Sequence, residues 1–143
     1  MEELLELRRC IEEKNYDKAL EIVGELEEMS KEDKLNKIYS YTVVLLIHLI
    51  KQEVEKRTTR SWNVSIRNSV REINRINKRR KSGGFYASDA ELIEIINEAM
   101  PAAIDRASLE VREGLYEVKD LMHLFDNNIL IERAFDLIKK QDV

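Results

Sequence analysis

The sequence contains few of the residues that interrupt helices and few cysteines that could stabilise a small domain through disulfide bonds. Its 143 residues include one cysteine, one proline and four glycines, and only 6% of them are aromatic. The single cysteine, Cys10, cannot form a disulfide within the chain. With so few turn-forming residues, a β-rich fold of many short strands is disfavoured. The N-terminal residues also lack the apolar run of a secretory leader, so we expect a cytoplasmic protein.

Long apolar segments are absent as well. The longest stretch without a charged residue runs from 38 to 50 and contains Ser40, Thr42 and His48. A helix that spans a bilayer needs about 20 predominantly apolar residues, and this stretch is too short to supply them. We therefore predict a buried helix at 38–50 and no association with a membrane.

What the sequence does contain is apolar residues at helical spacing. Near the N-terminus they recur at three- and four-residue steps, as in Leu4, Leu7 and Ile11, and the same period continues along the chain. This pattern predicts an all-α protein, a small helical bundle of roughly five to seven helices in a single domain. Within it we assign residues 1–114 to the bundle core and residues 115–143 to a helical C-terminal extension of the same domain.

Capping residues and helix breakers predict where individual helices begin and end. Asn15 interrupts the first periodic segment, which predicts a helical hairpin, and Ser30 predicts the start of a third helix. Ser88 and Glu91 form a capping-box pattern that opens a later helix. Pro101 predicts a break in that helix, because proline removes one backbone hydrogen bond and crowds the preceding turn.

Charge is distributed unevenly along the chain. Residues 51–81 hold eleven Lys and Arg against three Glu, a local charge of +8 in a chain of net charge −4. Residues 1–33 and residues 82–143 each carry −7. Seven of the cations are predicted to line one helix and the loop after it, and this basic ridge consists of Arg67, Arg71, Arg75, Lys78, Arg79, Arg80 and Lys81.

The basic ridge has three interpretations. It contacts nucleic-acid phosphates, or it recruits an acidic protein partner, or it pairs with acidic helices of this protein. An isoelectric point near 5.4 argues against a dedicated DNA-binding protein. We favour pairing within the chain or between subunits, for which the acidic side chains available are Glu25, Glu27, Glu28 and Glu32.

The start of the basic helix holds a second group of candidate residues. Arg57, Arg60 and Arg67 form a candidate site for a phosphate or carboxylate, because free backbone amides at a helix N-terminus already attract negative charge. Ser61 is predicted to cap this helix, and Trp62 is predicted to be a large buried anchor beside the cap.

His48 is the candidate for catalysis, since an imidazole exchanges protons near neutral pH. The carboxylate nearest to it in the following sequence, Glu53, is five residues away rather than three or four on the same helix face. The other histidine, His123, has no cysteine or paired carboxylate at the spacing of metal ligands. We therefore predict neither a metal nor a cofactor.

Several short motifs of the central sequence occur together in a known order and spacing. They are Asn15-Tyr16-Asp17, the segment from Leu45 to Lys51, Arg60-Ser61-Trp62 and Arg71-Glu72-Ile73. Over roughly residues 10–110 the chain resembles the prokaryotic domain of unknown function numbered twenty-nine, a family abundant in cyanobacteria. The resemblance implies a small helical bundle and supplies no activity.

These observations lead to a prediction of function. We predict a non-enzymatic interaction or scaffolding module that binds a protein partner or associates with itself, because the apolar face of residues 38–50 and the amphipathic tail exceed what one small bundle covers. The alternative is anion or nucleic-acid binding through the basic helix, residues 60–81. The third hypothesis is a hydrolase centred on His48.

Overall fold

The computed structural model describes residues 2–79 and 83–140, and in these residues all of the regular elements are helical. One 3-10 turn, Val111–Gly114, follows the fourth helix. The prediction of an all-α bundle of five to seven helices is confirmed. The α-helices are α1 (Glu2–Glu12), α2 (Tyr16–Glu55), α3 (Arg60–Asn77), α4 (Asp89–Glu110), α5 (Val118–Leu121) and α6 (Asn127–Lys140).

The chain divides into two compact units, the first ending at Lys34 and the second beginning at Leu35. Helix α2 contributes residues to both. The predicted distinction between a core of residues 1–114 and an extension of residues 115–143 concerns a different position, and it stays a prediction.

The first unit is a helical hairpin with a small core. Cys10, Ala19 and Ile22 are buried, and Leu7 and Leu26 pack against them. The hairpin predicted from the interruption at residue 15 is therefore confirmed.

The turn of this hairpin is fixed by backbone geometry and by capping. Lys14 has a φ of +62°, which reverses the chain after α1. Asn15 then caps α2, because its side-chain oxygen accepts a hydrogen bond from the backbone N–H of Lys18 at 3.4 Å. An ion pair of 3.2 Å between Lys18 and Glu6 links the two helices of the hairpin.

The core of the second unit is built on the uncharged stretch of α2 that was predicted to be buried. Leu45, Leu46, Leu49 and Ile50 have no exposed surface, and they belong to one apolar cluster with residues of α3, α4 and α6. Helix α4 contacts α5, α6 and the 3-10 turn, and α3 contacts α6. No helix among the described residues combines the length and the apolar character needed to cross a membrane.

Two predicted helix boundaries are wrong. Helix α2 continues through Ser30, because residues 25–38 contain no glycine or proline and a serine without a nearby breaker is tolerated inside a helix. Helix α4 likewise continues through Pro101. Pro101 itself is exposed, whereas Met100 and Ile104 beside it are buried in the core. Burial of that face offsets the cost of about 3 kcal/mol that proline adds inside a helix.

The predicted cap of α4 is confirmed. The hydroxyl oxygen of Ser88 accepts a hydrogen bond from the backbone N–H of Glu91 at 3.2 Å, and the Glu91 carboxylate accepts one from the backbone N–H of Ser88 at 3.3 Å. Asp126 caps α6 in a similar way, since its carboxylate accepts from the backbone N–H of Asn128 at 2.8 Å.

The loop between α3 and α4 is closed by Asn77, which is the last residue of α3 and is buried. Its side-chain oxygen accepts a hydrogen bond from the backbone N–H of Ala87 at 2.7 Å, and its amide nitrogen donates to the Ala87 carbonyl at 3.4 Å. Gly83 and Gly84 both have positive φ in this loop, +72° and +74°. Helix α3 thus ends at Asn77, ahead of the glycine pair.

Candidate binding cleft at Trp62 and the basic face of helix α3

Helix α3 begins with a threonine cap that positions the only tryptophan. Thr59 has an extended backbone, and its hydroxyl oxygen accepts a hydrogen bond from the backbone N–H of Trp62 at 3.1 Å. Ser61, which was predicted to be the cap, lies inside the helix and is exposed. The correction has a simple cause: three hydroxyl residues occur in this segment, and only Thr59 combines an extended backbone with the correct offset from Trp62.

Trp62 is half-buried, and two cations lie near its ring. The guanidinium carbon of Arg57 is 4.8 Å from the ring centroid, and the Lys51 ammonium is 5.7 Å from it. Both distances are in the range of cation–π attraction, which follows from the negative face of the aromatic ring. The ring is thus less buried than predicted, and the role of Trp62 as an anchor stays a prediction.

Two carboxylates balance these two cations. Glu55 pairs with Arg57 at 3.0 Å, and Glu110 pairs with Lys51 at 3.0 Å. The Glu55 carboxylate also accepts a hydrogen bond of 3.4 Å from the backbone N–H of Arg112. Ion pairs thus join side chains from α2, from the turn before α3 and from the end of α4.

The residues after α4 form a strained wall beside these charges. Arg112 and Glu113 have left-handed backbones with φ of +44° and +58°, and Gly114 follows with +80°. Such conformations cost a non-glycine residue of order 1–3 kcal/mol and concentrate at functional sites. The open depression at this place, which we call the Trp62 cleft, has a volume of about 660 Å³ and is lined by Lys51, Glu55, Arg57, Trp62, Glu110, Arg112, Glu113 and Leu115.

A polar network supports the turn that carries Arg57. Gln52 donates a hydrogen bond of 2.8 Å to the Thr58 hydroxyl and accepts one of 2.8 Å from Arg133 of α6. Lys56 has a φ of +52°, so the chain reverses immediately before Arg57. The turn is therefore held at one end by its hydrogen bonds, while the side chain of Arg57 is exposed to solvent.

The basic ridge lies on the solvent side of α3 in its described part. Arg75 pairs with Glu72 through a hydrogen bond of 2.7 Å. This hydrogen bond lowers the pKa of the Glu72 carboxyl below its ordinary value and raises the pKa of the Arg75 guanidinium. Arg79 lies over the ring of Tyr86, with 5.2 Å from its guanidinium carbon to the ring centroid. Arg80 and Lys81 lie outside the described residues.

Four cations of α3 and of its C-terminal cap are exposed and lack a nearby carboxylate: within the described part of the second unit, none of them has one at ion-pair distance. We call this set the cationic face, and it consists of Arg60, Arg67, Arg71 and Lys78.

The three arginines of the anion site predicted at the start of α3 differ in their contacts, and the site stays a prediction. Arg57 is engaged by Glu55 and by the ring of Trp62, whereas Arg60 and Arg67 belong to the cationic face. Arg57 therefore belongs to the Trp62 cleft, whereas the other two arginines belong to the cationic face.

His48 makes a hydrogen-bond contact within its own helix. Its Nδ1 atom lies 2.9 Å from the carbonyl oxygen of Val44, one turn earlier in α2. Across residues 2–79 and 83–140, no group of three or more His, Cys, Asp and Glu side chains is arranged to hold a metal ion. The prediction of a hydrolase at this residue gains no support from its neighbours.

A comparison with protein-family models gives a match over most of the chain. The model described as "Domain of unknown function DUF29" matches residues 7–127. The chain belongs to the DUF29 family. The match confirms the resemblance predicted from the sequence and extends it at both ends, from α1 to the start of α6. No curated protein and no solved structure gives a significant match.

Within this DUF29 domain, sequence reasoning missed most of the cleft. Arg57 and Trp62 were singled out, but Lys51, Glu55 and Glu110 were not. The signal that could have identified Glu55 and Glu110 is their position: each is the last residue of its helix, where the helix dipole disfavours a carboxylate. A carboxylate at such a position requires a compensating cation, and the structure supplies one to each.

A second cavity of about 320 Å³ lies among α4, α5 and α6. Pro101 lines it, together with Asn97, Met122 and Asn128. Since proline has no N–H, the carbonyl of Asn97 lacks its usual helical donor at this wall. The remaining wall is mainly apolar.

Proposed function

We propose that this DUF29 protein is a non-enzymatic interaction module that associates with itself, with the acidic hairpin of one copy bound to the cationic face of another. The observation that supports the proposal is the cationic face, whose exposed guanidinium and ammonium groups have no carboxylate at ion-pair distance in the described part of their own unit. Unpaired cations on a regular helical surface favour an acidic partner through both attraction and orientation.

The hairpin offers a matching acidic surface. Four glutamates of α2 are exposed and recur at intervals of four, three and four residues, so they share one helix face; they are Glu21, Glu25, Glu28 and Glu32. A four-residue step corresponds to about 6 Å along a helix. Arg67 and Arg71 of the cationic face have the same spacing, so two or more ion pairs can form when the helices lie side by side.

Apolar side chains add to this surface. The hairpin has three buried core residues and leaves six large apolar side chains exposed, namely Leu4, Leu5, Ile11, Tyr16, Leu20 and Met29. On α3, Val64 is exposed among the cations. Segments shorter than about 40 residues usually need oligomerisation or another support to be stable. The apolar surface predicted from residues 38–50 is instead buried in the core of the second unit.

Charge favours a contact between the hairpin of one copy and helix α3 of the other over a contact between two hairpins. Residues 1–33 carry −7, so two hairpins repel each other, whereas residues 51–81 carry +8. If each copy donates its hairpin to the other, the two contacts are equivalent and the assembly closes as a symmetric dimer.

The test is light scattering after size-exclusion chromatography, at low salt and at about 0.5 M salt, where exposed charges are largely screened. We expect a dimer at low salt that dissociates in the variant Arg67→Glu/Arg71→Glu. The control is Arg106→Glu/Lys119→Glu, which changes the net charge equally at exposed positions elsewhere. Mixing the α3 variant with Glu25→Lys/Glu28→Lys should restore a heterodimer. A monomer under all conditions, or loss of the dimer in the control, contradicts the proposal.

Nucleic-acid binding is the second candidate, because the same cationic face is open to phosphates. Phe85 is exposed in the following loop, and Tyr86 lies beneath Arg79, so two aromatic rings are near the cations. The ratio of absorbance at 260 and 280 nm in the same experiment separates the two candidates. Co-purifying nucleic acid that high salt removes, and that is lost in the α3 variant, favours this function.

A further inference from the structure

We propose that the Trp62 cleft binds the guanidinium group of a small organic cation, which replaces the side chain of Arg57. The cleft already contains the elements of such a site: an aromatic ring, a carboxylate beside it and a guanidinium between them. Arg57 lies 4.8 Å from the ring centroid and 3.0 Å from the Glu55 carboxylate. The chain's own arginine thereby shows which chemical group fits.

The carboxylate side of the cleft is fixed. The side chain of Glu55 is only 11% exposed, and the backbone N–H of Arg112 holds its second oxygen at 3.4 Å. Glu55 and Glu110 are the last residues of α2 and α4, so the negative ends of two helix dipoles also point into this region. Since a nearly buried carboxylate without a cation is strongly destabilising, the position next to Glu55 must stay occupied by positive charge.

Arg57 is the member of the pair that can exchange. Its side chain is 56% exposed, five times the exposed fraction of Glu55, and it follows the left-handed residue Lys56 in a turn. An exposed arginine keeps most of its hydration, so Arg57 can leave Glu55 at little cost to itself when another cation takes its place beside the carboxylate. Rotation of Arg57 into solvent therefore opens the ring face without breaking a helix.

An anionic guest fits the cleft less well. The buried cation, Lys51, has a side chain that is 11% exposed and is already bonded to Glu110 at 3.0 Å. An anion would have to displace Glu110 and then lie beside Glu55. A guanidinium instead matches both walls, because its planar fork bonds a carboxylate and its flat face stacks on an aromatic ring. The cleft volume of about 660 Å³ suits a small molecule.

The experiment uses the fluorescence of Trp62, the only tryptophan in the protein. The full chain is titrated with methylguanidinium while sodium chloride keeps the ionic strength constant. We expect a saturable change in Trp62 emission for the wild type. The variant Arg57→Ala removes the internal competitor, so it should bind at least about tenfold more tightly if Arg57 occupies the ring nine-tenths of the time. Arg106→Ala, which removes an exposed arginine of α4 outside the cleft, should bind like the wild type.

Three results of the titrations with small ions would overturn the proposal. They are a linear response of Arg57→Ala to methylguanidinium, equal affinity of Arg57→Ala and Arg57→Ala/Glu55→Gln, and saturation by acetate rather than by the cation. Circular dichroism checks that each variant is folded, and Arg57→Gln replaces Arg57→Ala if the alanine variant is not. A peptide with an internal arginine tests the source of the guanidinium. Tighter binding of the peptide than of arginine amide would contradict a small-molecule guest.

Discussion

Substitution of Asn77 tests whether the loop between α3 and α4 depends on one side chain. In Asn77→Ala, the buried N–H of Ala87 loses an acceptor at 2.7 Å, and the Ala87 carbonyl loses a longer contact of 3.4 Å. An unsatisfied buried donor costs about 1–3 kcal/mol, and the second contact and the space left by the amide add to this. We expect a total loss of about 2–4 kcal/mol in the free energy of unfolding.

The assay is urea denaturation followed by Trp62 fluorescence, which reports on the second unit. A loss of this size lowers the urea midpoint by about 1–2 M for a slope near 2 kcal/mol per molar urea. The matched control is Asn68→Ala, an exposed asparagine of the same helix, which should change stability by less than about 0.5 kcal/mol. If Asn77→Ala and Asn68→Ala have the same midpoint, Asn77 does not hold the loop and the reasoning is refuted.

Three further substitutions test local features. Thr59→Ala should lower stability by about 1 kcal/mol in urea denaturation through loss of the α3 cap, with Thr59→Ser close to wild type. Pro101→Ala should raise the melting temperature, with a gain of about 1–3 kcal/mol, because a helix-interior proline is replaced by the best helix former. The Glu72 carboxyl should titrate below its ordinary pKa by NMR and return toward it in Arg75→Ala. The Glu72–Arg75 pair therefore stabilises the fold above the unfolded pKa of glutamate and is lost as the pH falls through the folded pKa. An unchanged Glu72 titration in Arg75→Ala would contradict this cause.

Most helices could be predicted because their signals are local. The capping box of Ser88 and Glu91 and the burial of residues 38–50 follow from residues that are close in sequence. The two errors have tertiary or contextual causes. At Pro101, the packing of α4 in the core outweighs a backbone preference. At Ser30, a capping residue lies in a stretch without a helix breaker, and the helix simply continues.

The cleft was harder to predict because its contacts are distant in sequence. Lys51 and Glu110 are 59 residues apart, and Arg112 bonds to Glu55 across 57 residues. Neither pairing follows from periodicity or from a short motif. The local part was also predicted incompletely. Trp62 was predicted to be buried and is half-buried, and the cap of α3 was assigned to Ser61 because hydroxyl residues are interchangeable in a pattern and differ only in backbone conformation.

The left-handed wall of the Trp62 cleft has a consequence for selection experiments. Glycine adopts the conformations of Arg112 and Glu113 without strain, so glycine at either position removes an unfavourable backbone state. A library of variants sorted only for folding should therefore become enriched in glycine at 112 and 113. If the cleft binds a ligand as proposed, a library sorted for that binding should keep the larger residues, because both positions line the cleft. The two positions thus report, from sequence counts alone, which of the two pressures acts on this protein.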